Sequence, residues 1–251
     1  MKKYFQVAWS EKDVKIIISI TLFLILLVAA PSVLLKMGYL PEPPYYAVIK
    51  DNIFYKLGLL LIQEIIILAP LLIYTTKKYG FKWKKFGFEK VGIFKTIFSV
   101  FGGYIAYLGI TILITTFIVF TNIKIPGYQI QENIFEIFGD KNLELIITGI
   151  IVIVIAPIVE EIFFRGFLLR FFVDKTGVFY GSVVSALIFA VFHLQWQSII
   201  PIFILGLIIN HMVIKHKSIV PAIIFHVINN GIAFTLQILI LKDVIRIDNI
   251  I

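Results

Sequence analysis

Seven apolar runs, most of them as long as a bilayer is thick, govern what this chain can fold into. They fall near Ile16–Leu35, Tyr55–Thr76, Phe94–Phe120, Leu143–Phe172, Phe179–Leu194, Ile199–Ile214 and Ile219–Leu241. Hydrocarbon offers no partner for a backbone N–H or C=O, and about 20 helical residues cross its apolar core, so these runs predict transmembrane α-helices. Composition agrees: 60% of the 251 residues are hydrophobic and 15% charged, against roughly 25% charged in a soluble domain. The expected fold class is all-α, a polytopic transmembrane helix bundle of about seven spans forming one integral membrane domain, 1–251. No internal repeat of fixed period and no low-complexity tract interrupts it.

The absence of cysteine removes disulfides, thiolate metal sites and a cysteine nucleophile together. Lys and Arg number 23 against 15 Asp and Glu, a net charge of +8. No basic block is interleaved with aromatics on a polar face, so nucleic acid is not an expected partner. The positive charge reads as membrane orientation instead. Lys and Arg gather before the first run and between the second and third, fourth and fifth, and sixth and seventh, which puts the N-terminus inside and the C-terminus outside. The leader of the first run carries Glu11 and Asp13 and its apolar stretch continues to Leu35, so it reads as an uncleaved span rather than a signal peptide. The lysine-rich loop Lys77–Lys90 is a topology signal in preference to a binding surface for anionic lipid. Trp9, Trp83 and Trp196 fall near predicted interfaces and read as belt anchors. His211 and His216 lie at the inner end of the sixth run, where solvated or interfacial roles are expected. The outer loop Thr121–Asn142, with Pro126, Gly127, Glu132, Glu136 and Asp140, has an amphipathic stretch around Ile130–Phe138 and no assigned chemistry.

Ionisable groups inside the runs carry the functional signal, because a charge in hydrocarbon costs about 2.5–3.5 kcal/mol even on insertion scales. The fourth run contains Glu160-Glu161-Ile162-Phe163-Phe164-Arg165. Glu161 and Arg165 are four residues apart with the acid N-terminal, the favoured orientation for a helical ion pair. Glu160 is then left unpaired, about 100° further round the helix. A carboxylate withdrawn from water accepts a proton more readily, as a general base near neutral pH must. His193 ends the fifth run and His226 and Asn230 lie one turn apart in the seventh. Glu160 with His193 can polarise a water, and His226 with Asn230 can meet a developing oxyanion, which together are the parts for water attack on an amide. Counting along the helices places the two histidines at depths that differ by about 8–10 Å, a gap that helix tilt must close.

Three motifs in order, Glu160-Glu161-x-x-x-Arg165 extended by Phe163-Phe164-Arg165-Gly166, then Phe189-x-x-x-His193, then His226-x-x-x-Asn230, resemble the CPBP family of intramembrane proteases, also called Abi or type II CAAX prenyl endopeptidase-like proteins. The resemblance covers about Ile150 to Gly231, inside a motif-bearing core expected at 143–241, the C-terminal four helices; 1–142 supplies three motif-free spans and their loops. It implies that Glu160 and His193 activate the hydrolytic water, that His226 and Asn230 stabilise the oxyanion, and that Glu161 and Arg165 brace the site. It also implies a peptide or protein substrate, membrane-anchored or prenylated, and a place among lipids in the plasma membrane of a prokaryotic cell. Members are described both as metalloproteases and as metal-independent glutamate proteases. Glu160, His193 and His226 would be the zinc ligands in the first case, whereas the lack of a paired-histidine helix motif favours metal-free chemistry with no cofactor. Where the family commonly has a second glycine in the intervening helix, this chain has Asn210.

Two competing functions stand beside proteolysis. Family members are also associated with bacteriocin self-immunity and with scaffold roles that need no peptide cleavage. A proton-coupled transporter would use Glu64, Glu160 and the histidines as a relay, but shows no repeat halves. Rhomboid-like catalysis lacks its serine motif, and aspartyl catalysis lacks an Asp within a predicted span. Glu64, beside Gln63 in the second run, either tunes the same cavity or pairs with another helix.

Overall fold

The computed structural model describes residues 4–41, 43, 52–80, 82–121, 141–195, 198–242 and 244. Within them the chain forms seven helices and no strand: α1 (Glu11–Lys36), α2 (Ile53–Tyr79), α3 (Ile93–Thr121), α4 (Asn142–Thr176), α5 (Val178–Phe192), α6 (Ile199–His216) and α7 (Val220–Leu241). Six are long and apolar enough to cross a membrane; α5, with 15 residues, is not. The sequence predicts seven spans. The fifth, expected over Phe179–Leu194, is helical over Val178–Phe192, bounded by Gly177 at φ +86° on one side and His193 on the other. At about 1.5 Å per residue it is too short for a core of about 30 Å. The amphipathic stretch expected at Ile130–Phe138 and the belt anchor Trp196 lie outside the described residues.

Helix ends follow local chemistry. Ser10 caps α1, its hydroxyl accepting from the Asp13 N–H while the Asp13 carboxylate accepts from the Ser10 N–H. That reciprocal cap starts the helix at Glu11, five residues before the apolar run, and so brings Asp13 into it. Asn52 caps α2 through the N–H groups of Phe54 and Tyr55. In α4 the six residues Ile150–Ile155 wind as a π-helix just before Pro157. Proline clashes with the carbonyl four residues back, and a wide turn at that point relieves the clash without breaking the helix. A second π-helical stretch, Glu161–Leu169, follows after the α-helical segment Ala156–Glu160.

The chain divides into two compact units, and each is described by itself. The first comprises 1–8, 82–132 and 160–229. Every residue of Glu161–Leu169 is buried there, with α5, α6 and the single 3-10 turn Trp83–Phe86 packed around it. At Gly166 a Cβ would lie 2.8 Å from the Phe86 carbonyl oxygen, so only glycine admits the turn this close. The non-helical ends of this unit are tied together: Phe5 and Val7 donate their N–H groups to Asp174, Tyr4 donates to the Ile214 carbonyl, and Ile219 donates to the Gly87 carbonyl. Trp83 remains half exposed beside Phe88, as an interfacial anchor should. On α3, Phe94, Phe98 and Phe101 are exposed, a surface suited to acyl chains.

The second unit comprises 9–81, 133–159 and 230–251. In it α1 packs on α2. The Asp13 carboxylate is fully buried and accepts from Tyr74, Lys78, Tyr79 and Ser10. This acid is therefore a satisfied anchor between two helices and not a catalytic aspartate. Trp9 is buried, which corrects its reading as a belt anchor: the Ser10 cap turns the chain so that the indole packs inward. Glu64 is buried and Gln63 exposed.

Candidate active site

Five of the predicted residues meet within the first unit. Glu160 ends an α-helical stretch of α4 and Glu161 opens its π-helical one. His193 lies one residue beyond α5, its own N–H held by the Ala190 carbonyl. His226 stands in the second turn of α7. The depth gap between the histidines is closed: Oε2 of Glu160 is 3.9 Å from Nε2 of His193 and 3.8 Å from Nε2 of His226.

The two rings are fixed through their other nitrogens. Nδ1 of His193 lies 2.7 Å from the Phe189 carbonyl oxygen, which only accepts, so Nδ1 carries the proton and Nε2, on the Glu160 side, keeps its lone pair. Nδ1 of His226 donates to Oε1 of Glu161 at 2.9 Å. The adjacent carboxylates thus address His226 from both sides, Glu161 at Nδ1 and Glu160 toward Nε2. Glu161 also accepts from Nη1 of Arg165 at 2.9 Å, and both side chains are fully buried. By contrast, Glu160 is 16% exposed and His193 24% exposed. Exposure therefore separates the pair that can reach water or substrate from the pair that holds the framework.

Around this core are residues whose roles the sequence did not disclose. Asn210 is fully buried on α6. Its Oδ1 accepts from Nε of Arg165 at 3.1 Å, and its Nδ2 donates to the Ser182 carbonyl at 2.9 Å. The position where the family commonly has glycine is here a clamp joining α4, α5 and α6. Phe189 is equally central. Its ring lies 3.9 Å from the Arg165 guanidinium carbon and stands edge-on to both imidazoles, at 4.6 and 5.8 Å between centroids. Phe164 and Phe192 pack edge to face and extend the apolar wall. The one sequence signal was the polar residue Asn210 in an otherwise apolar run.

Asn230 belongs to the second unit, where its Nδ2 donates to the Val152 carbonyl at 3.0 Å. It follows His226 by one turn of α7. Glu161, Arg165, Glu160, His193 and His226 are thus brought together, and Asn230 is related to them by position on a shared helix. His211 is exposed and His216 faces the Ser99 hydroxyl at 3.1 Å, the peripheral places expected of them.

Both Nε2 atoms have metal-ligand chemistry, with Nδ1 donated to an oxygen as ligating histidines usually have it. Among the described residues, however, no group of three or more His, Asp or Glu side chains is arranged to hold a metal ion.

Residues 142–232 match the family model of the type II CAAX prenyl endopeptidases, Rce1-like. Over that segment the chain is similar to the CPBP/CAAX proteases. The match takes in α4 to the middle of α7 and contains all six motif residues. An uncharacterized 24.3 kDa protein of Escherichia coli is 27% identical over 97 residues, 36% of this chain. The aligned region spans 45% of that relative's length. No solved structure matches. Six helices long and apolar enough to cross a bilayer, together with this likeness over 142–232, make the chain an integral membrane protein.

Proposed function

We propose that the protein is an intramembrane endopeptidase that hydrolyses a peptide bond at the membrane with a glutamate-activated water. The observation that carries this reading is the convergence of Glu160 Oε2 with two imidazole Nε2 atoms at 3.8 and 3.9 Å. Those separations are too long for direct hydrogen bonds, and in this reading a water oxygen bridges the three groups. Among the described residues Glu160 accepts no hydrogen bond and is partly exposed, so its carboxylate is free to take a proton.

In the proposed reaction Glu160, with His193 orienting the water, takes a proton as the water oxygen attacks the carbonyl carbon. The carbonyl π electrons move to oxygen. With Nδ1–H of His226 committed to Glu161, Nε2 is the ring atom left to meet that oxyanion. Asn230, a turn away on α7, contributes its amide. Collapse breaks the C–N bond, and the proton held by Glu160 passes to the leaving nitrogen. The apolar wall of Phe164, Phe189 and Phe192 strengthens each charge interaction. By family analogy the substrate is a membrane-anchored or prenylated peptide.

The test is to incubate detergent-purified full chain with a peptide library, with and without a chelator, and to sequence the products. Cleavage is expected in both arms. No products in either arm would overturn the peptidase reading, and products lost only with chelator would overturn the metal-free one.

We also propose that the lysine-rich end of the first unit, with Lys82, Lys84, Lys85, Lys175, Lys215 and Lys217, faces the cell interior. The native chain has no cysteine, so Lys84→Cys gives a single label site. An impermeant thiol reagent should label it in inside-out vesicles and not in intact cells; the reverse pattern rejects the orientation.

A further inference from the structure

A groove of about 370 Å3 runs between α3 and α6 within the first unit. Its walls are apolar, with Phe98 and Ala106 on one side and Leu207 on the other, and its polar end is made by Ser99, His211 and Lys215. None of the residues lining it is acidic. Lys95, on the first turn of α3, adds to the positive field at this end, since it, Lys215 and His211 all act electrostatically on His216. The exposed phenylalanine surface of α3 adjoins the groove, with Phe98 common to both, so the groove opens where acyl chains lie.

A trough that is apolar along its length and cationic at one end complements an amphiphile with an anionic head. Basic pockets between membrane helices attract acidic headgroups at about five-fold per Lys or Arg, and zwitterionic lipids gain nothing comparable. We propose that this groove binds one acidic phospholipid, with its phosphate at Lys215 and His211 and an acyl chain along Phe98, Ala106 and Leu207. The site is separate from the Glu160 cluster and does not depend on the peptidase reading. It leans on α6, the helix whose opposite face carries Asn210 to Arg165, so lipid in the groove supports the wall of the active-site core.

The experiment is native mass spectrometry of the full chain released from micelles containing equal phosphatidylglycerol and phosphatidylcholine. The wild type should retain phosphatidylglycerol preferentially, and Lys215→Gln should reduce that preference about five-fold. A Cβ at Gly102 meets nothing within 4 Å, so Gly102→Leu fills the groove without a backbone collision and should lower retention of both lipids. Lys56→Gln, in the second unit, should change neither. Thermal midpoints equal to wild type establish that the variants are folded. An unchanged preference in Lys215→Gln overturns the site, as does Gly102→Leu retaining lipid like wild type. Displacement of phosphatidylglycerol by millimolar glycerol phosphate would make it a site for soluble phosphate and overturn the lipid assignment.

Discussion

Glu160→Gln is expected to lower peptide hydrolysis by about 10²–10⁴-fold, the usual contribution of general acid–base catalysis, with the fold intact. The carboxamide has nearly the volume of the carboxylate but cannot take a proton from water and return it to the leaving nitrogen. The fold should tolerate the change because Glu160 accepts no hydrogen bond among the described residues and is partly exposed, with its two imidazole neighbours at 3.8 and 3.9 Å. Cleavage of a library-derived peptide by purified wild type and variant, alongside thermal unfolding in the same detergent, separates chemistry from stability. Undiminished cleavage removes Glu160 from the mechanism. Lost cleavage together with a large drop in midpoint would instead make the residue structural.

Arg165→Ala should be the most destabilising single change in the core, by about 3–5 kcal/mol, the range for removing one member of a buried ion pair. The guanidinium is fully buried, donates to Glu161 and Asn210, and lies on the Phe189 ring. Its loss leaves the Glu161 carboxylate in the interior with His226 Nδ1 donating to Oε1. Arg165→Lys should not rescue it, because an ammonium cannot reach two partners in a plane and stack as well. The double variant Glu161→Gln, Arg165→Met should lose less stability than Arg165→Ala, since no uncompensated charge remains, and should still be inactive because His226 is no longer held. Asn210→Ala should move the midpoint in the same direction by about 1–3 kcal/mol, leaving Nε of Arg165 buried without its acceptor. Thermal or denaturant unfolding in detergent reads all four. A Glu161→Gln, Arg165→Met protein as unstable as Arg165→Ala would reject the account.

How much of this was legible beforehand depends on the range of the interaction. Helix type and approximate limits come from apolar length, a local property, and six of the seven predicted spans are long enough to cross. The Glu161–Arg165 pair is local too, being one turn of a helix. Even so, local patterning placed the start of α1 five residues late, because a cap extends the helix to Glu11 and brings Asp13 inside. Periodicity could also assign Glu160 and Glu161 to different faces without revealing that both address His226, 65 residues on from Glu161.

The order of chemical groups along the chain determined that this is a helical membrane protein carrying a carboxylate, two imidazoles and an ion pair within its apolar runs, because hydrocarbon tolerates so few such groups. Where those groups stop along their helices, and therefore which nitrogen faces which oxygen, was decided only when α4, α5, α6 and α7 packed. The same packing made Asn210 a clamp and Phe189 the surface shared by Arg165 and both histidines. Those contacts join residues far apart in the chain, and depth and rotation at a helix crossing are set by the partner helix, which no single run of sequence contains.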